Sequence, residues 1–92
     1  MSQFSVSSEM VARYVLNREK EVQFLKDALV SKDFSFIASK AHNLKGTAES
    51  FGFPELGLVG QDLEAVALAQ EENAIVVQIK NIESWVAKHL GK

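Results

Sequence analysis

Cysteine is absent from the 92-residue chain, which excludes a disulfide framework and a thiolate zinc site together. Proline occurs once, as Pro54, and the β-branched residues are scattered instead of alternating with polar ones, so the pattern does not ask for a sheet. No apolar run reaches the roughly 20 residues that a membrane-crossing helix needs. The opening MSQFSVSSEM lacks the basic start and apolar stretch of a secretory leader. An excess of one charge is missing too. Ten basic and twelve acidic residues give a formal net charge of −2, which is no footprint for nucleic acid. The absences point to a cytoplasmic protein, or a cytoplasmic piece of a larger one, with neither nucleic acid nor a membrane as partner.

What is present is an ordinary globular composition, 47% hydrophobic and 24% charged. The length suits one domain, residues 1–92, with 1–6 expected as a flexible tail, and stability has to come from packing.

Apolar periodicity divides the chain into four helices. The first runs from about Ser8 to Val30, with Val11, Val15, Val22, Leu25 and Leu29 on one stripe. Ser7 or Ser8 caps it, Glu9 favours its first turn, and Asn17 is a weak point at which it divides in two or runs on. Asp33 is expected to cap a second helix with the stripe Ile37, Ala41, Leu44, Ala48 and Phe51. Gly52 stops it, and Pro54 suits the first position of the third helix, which carries Leu56, Val59, Leu63 and Val66 and ends at QEEN. Asn73 is expected to cap the fourth, with Ile75, Ile79, Ile82, Val86 and Leu90 inward and Gly91 at its end. Short connections force neighbours to run antiparallel, so the expected architecture is all-α, an up-down-up-down four-helix bundle.

One stretch, KAHNLKGTAESFGFPEL, asks for more than packing. A residue step turns a helical side chain by about 100°, so with Ala41 on the buried stripe His42 lies on its flank, with Ala38, Lys45 and Glu49 above and below it. A neutral imidazole facing solvent is a nucleophile near neutral pH, and a lysine one turn on offers charge to an arriving anion. Gly46 costs the helix about 0.8–1 kcal/mol relative to alanine, and its missing side chain lets another surface approach. The group that fits this set best is a phosphoryl group. The plain alternative is a solvated histidine beside a solvated lysine, which is what such residues usually are.

The hairpin geometry brings in a neighbour. His42 is ten residues before Gly52 and Glu64 ten after Pro54, so the two stand at about the same height on antiparallel helices. Gln61, Gly57 and Gly60 share that face of the third helix, and the two glycines are expected to let it approach the histidine helix closely. Spacing alone leaves Glu64 either holding the imidazole N–H or facing solvent.

HNLKGTAESFG resembles the His-x-x-Lys-Gly signature, with its later glycine, of histidine phosphotransfer (HPt) domains from bacterial two-component phosphorelays. The likeness runs from about Asn17 through Ala69 and takes in SKDFSFIASKAH, the turn GFPEL, and VGQDLE. It implies a four-helix bundle that is phosphorylated transiently on His42. Lys45 takes the place of the basic residue near the phosphoryl group, and Glu64 that of the polar residue bonded to the ring. Gly46, Glu49, Ala38 and Gln61 form the expected receiver-docking surface. The implied partners are a response-regulator receiver domain and a hybrid sensor histidine kinase. The domain is implied to be a phosphocarrier and not an enzyme, monomeric, with no cofactor, ATP site or metal of its own, the receiver bringing magnesium.

His89, in the last helical turn, and Trp85 are expected to serve packing. Phe34, Phe36, Phe51 and Phe53 are read mainly as core, one or two of them bordering the docking patch. The rival reading is a helical adaptor that binds signalling partners without phosphorylation. An enzyme reading ranks third, since two distant histidines and no metal cluster leave it little to stand on.

Overall fold

The computed structural model describes residues 7–91 and holds four α-helices: α1 Ser8–Val30, α2 Phe34–Ser50, α3 Pro54–Leu68 and α4 Glu72–Gly91. The expected tail at 1–6 lies outside the described residues. Each helix packs on its sequence neighbours, and α1 against α4 closes the ring, which is the antiparallel bundle that short connections dictate. Ile37, Ala41, Leu56, Leu63 and Ile75 are fully buried along its axis. Each large aliphatic among them contributes about 1.5–3 kcal/mol by leaving water.

Local chemistry sets the ends. Ser7 caps α1 by accepting from Met10 N at 3.1 Å, and Asp33 caps α2 by accepting from Phe36 N at 3.2 Å. Helix α1 is continuous through Asn17, whose side chain is exposed, so the break considered there does not occur. Asn73 does not cap α4. The helix begins one residue earlier, at Glu72, and the preceding Glu71 carbonyl accepts from Ile75 N at 2.9 Å.

All three connections share one geometry. Lys32, Gly52 and Gln70 take φ values of +59°, +84° and +58° and follow the last helical carbonyls as left-handed residues. Behind them Asp33 N bonds Ala28 O, Phe53 N bonds Ala48 O and Glu71 N bonds Val66 O, at 2.8, 2.8 and 3.0 Å. These are Schellman closures, and only the middle one has the glycine that the conformation favours. Lys32 compensates by reaching both oxygens of Glu72, at 3.0 and 2.9 Å, which ties the first turn to the start of α4. Gln70 makes no such side-chain bond among the described residues. Gln70→Gly is therefore expected to stabilise the domain by about 0.5–1 kcal/mol in a urea melt. An unchanged or lower midpoint would mean that the left-handed site carries no strain.

Helix α2 lies closest to α3 and more loosely against α1. The α1–α2 seam is filled by polar and aromatic groups that the apolar stripes do not predict. The Arg18 guanidinium covers the ring of buried Tyr14 at 4.4 Å. Its Nε lies 3.2 Å from Glu21 Oε1 without the alignment of a hydrogen bond. Burial pushes the Glu21 carboxyl above the usual carboxylate range, with the charges of Arg18 and then Lys40 pulling it back.

Candidate functional site

Ala41 is fully buried in the bundle, and the next residue, His42, is turned out so that 72% of its side chain meets solvent. Its Nδ1 stands 3.3 Å from both carboxylate oxygens of Glu64 on α3. A carboxylate only accepts, so Nδ1–H is the donor, and in the neutral ring the lone pair sits on Nε2. The two residues meet because the Gly52–Pro54 turn places them at equal distances along antiparallel helices.

A second feature brings those helices close. A Cβ built on Gly60 would stand 2.9 Å from Lys45 N and 3.0 Å from Ala41 O, and both of those atoms are backbone. At Gly57 the nearest atom would be Glu49 Cγ, 3.3 Å away. Helix α3 therefore lies against the very turn of α2 that carries His42. At Gly46, by contrast, an added Cβ meets nothing within 4 Å. That glycine is not required by the fold.

The remaining site residues are placed as follows. Lys45 is half-buried beside the α2–α3 contact and forms no ion pair among the described residues. Glu49 and Gln61 are exposed on either side of that contact. Ala38 is buried, at 7% exposure, so it offers no docking surface as the sequence suggested; the close approach of α3 draws its side of α2 into the core. On the other flank of His42 an open depression is lined by Asn43, Gly46, Thr47, Ser50 and Phe51. Thr47 links this edge to α1, since Tyr14 OH and Thr47 Oγ1 lie 2.9 Å apart. Thr47 gives its own proton to Leu44 O at 3.3 Å, which leaves Tyr14 as the donor of the longer-range bond. The apolar stripe does not reveal this link, because it needs a phenol and a hydroxyl matched across two helices.

The second histidine is differently placed. His89 Nδ1–H donates to Trp85 O at 2.8 Å, and the ring stacks on the buried Trp85 indole at 4.2 Å with Phe53 edge-on at 5.2 Å. It is half-buried in an aromatic cluster and forms no ion pair with a carboxylate among the described residues.

The family model described as Hpt domain matches residues 9–89, from the first turn of α1 to the last turn of α4. The chain belongs to the Hpt domain family. Searches among curated proteins and among solved structures gave no match. Hpt domains carry histidine phosphotransfer in phosphorelays, are phosphocarriers and not enzymes in the usual sense, and interact with response-regulator receivers. In this Hpt domain no described helix is long and apolar enough to cross a membrane.

Proposed function

We propose that this Hpt domain accepts a phosphoryl group on Nε2 of His42 from the aspartyl phosphate of a receiver domain and returns it to a receiver aspartate. The observation that carries the reading is an exposed imidazole whose Nδ1 is engaged by Glu64, leaving the other nitrogen toward solvent. In the step, the Nε2 lone pair attacks phosphorus and the P–O bond to the aspartyl carboxylate breaks, its electrons leaving with that carboxylate. The product ring holds the phosphoryl group on Nε2 and a proton on Nδ1, so it is cationic. Glu64 faces this cation, favours it, and acts as a positioning residue. Lys45 offers its ammonium to the phosphoryl oxygens, and Gly46 leaves clearance for the receiver's surface. Glu49 on α2 and Gln61 on α3 are exposed and complete the docking surface of this reading. The domain acts as a cytoplasmic monomer between a hybrid sensor kinase and a response regulator, and the receiver supplies the magnesium.

The test is to incubate the domain with a panel of aspartyl-phosphorylated receivers and map the acid-labile phosphate by mass spectrometry. The expected result is one phosphoryl group on His42 with none on His89. Uptake on His89, or on no histidine with any receiver, would sink the reading.

A further inference from the structure

Charge is distributed unevenly over the bundle. From Gly46 to Ile79 the sequence holds six acidic residues and no basic one. Elsewhere the carboxylates of Glu9, Glu21 and Glu83 pair with cations of the bundle itself. In this stretch only Glu72 pairs with a lysine, Lys32, while Glu64 is engaged by His42. Glu49, Glu55, Asp62 and Glu71 are exposed and form no ion pair among the described residues. They border an apolar stripe on the outer face of α3. Leu58 and Leu68 leave 61% and 70% of their surface in solvent, and exposed Gln61 and Ala65 stand between them. Successive steps of three and four residues put these side chains on one line about 15 Å long, with the spacing by which a helix receives a partner helix. Glu55 and Asp62 follow the α4 side of the stripe, Glu49 and Glu64 the α2 side, and Glu71 stands in the turn beyond Leu68. Two cations also border it: Lys45, half-buried at the α2–α3 contact, and Lys88, which shares a depression with Glu55. Neither forms an ion pair among the described residues, and the carboxylates outnumber them.

We propose that this stripe is a second docking site, for an amphipathic helix with aliphatic residues on one face and lysine or arginine on both sides of them. Leu58 and Leu68 anchor the two ends of the contact, and the small Ala65 leaves room between them for an aliphatic side chain of the partner. The unpaired carboxylates meet its cations. Nucleic acid and anionic lipid bring the wrong charge to this face, and so does α3 of a second copy. The site is separate from the phosphoryl-accepting edge of His42, because Nδ1 is the nitrogen turned to α3.

The test uses two fluorescent peptides of about five helical turns. In one, leucines form a stripe flanked by lysines; the other has the same residues in scrambled order. By fluorescence anisotropy at physiological salt the domain is expected to bind the striped peptide about tenfold more tightly, or better. Leu58→Ser with Leu68→Ser should weaken that binding about tenfold, and Glu55→Gln with Asp62→Asn about threefold with a flatter salt dependence. All four side chains are exposed, so the helical circular dichroism should stay at the parent level. Nitrogen-15 amide shifts on adding the striped peptide should centre on α3. Equal binding of the two peptides, binding of neither, no loss in the leucine variant, or shifts centred on α1 would overturn the proposal. So would a fall in the free domain's mass by light scattering in the leucine variant, which would make the stripe a contact between two copies.

Discussion

His42→Gln is expected to end phosphoryl uptake from phosphorylated receivers while leaving the fold untouched. Glutamine keeps much of the side-chain volume and a polar end, but its amide nitrogen has no lone pair able to attack phosphorus. The ring is 72% exposed and its recorded partner is Glu64, so the loss of stability should stay within about 0.5 kcal/mol. Radiolabelled transfer and a thermal melt on the same preparation separate the two effects. Transfer should drop to background with a melting temperature near the parent's. A variant that melts normally and still takes up acid-labile phosphate would remove His42 from the reaction, and with it the roles given to Lys45 and Glu64.

The largest loss of stability is expected at Gly60. Gly60→Val places a Cβ where Lys45 N would be 2.9 Å and Ala41 O 3.0 Å away, and neither atom belongs to a side chain that could rotate aside. The helices have to part, at a cost of about 3 kcal/mol, the upper part of the overpacking range. For a domain of this size that lowers the melting temperature by on the order of 10–20 °C. The same displacement carries Glu64 away from His42, so a preference for the Nδ1–H tautomer, measured by nitrogen-15 spectra of the ring, should weaken in parallel. Gly46→Ala is the counterpart. With nothing within 4 Å of the added carbon, it should stabilise by about 0.5–1 kcal/mol, because alanine is the better helix former. If Gly60→Val melts like the parent, close approach of α2 and α3 does not depend on that glycine.

Position separates these two glycines in the sequence, Gly46 on the histidine's own surface and Gly60 on the face of the third helix turned toward it. Periodicity exposes four helices because each buries one stripe, and Asp33, Gly52 and Pro54 punctuate them with side chains suited to caps and turns. Lys32 and Gln70 adopt the same left-handed conformation without a residue that announces it. Asn73 reads as a cap by type, yet the turn built around Gln70 puts Glu71 at the cap position, two residues too early to use it. The level of Glu64 with His42 follows from counting outward from one turn. The burial of Ala38 does not, because it depends on how near α3 comes. The link from α2 to α1 was hidden for a similar reason: Tyr14 and Thr47 are 33 residues apart, and only the seam between the two helices joins them.

The arrangement of helix contacts bears on how the chain reaches this state. Three of the four packed pairs join helices that follow one another directly, and only α1 against α4 asks distant parts of the chain to meet. The entropy of closing a long loop is therefore spent once, and late, after two or three local hairpins have formed. Topologies of this kind fold in microseconds to milliseconds. A domain of this layout is thus able to refold quickly after any local opening of the α1–α4 closure.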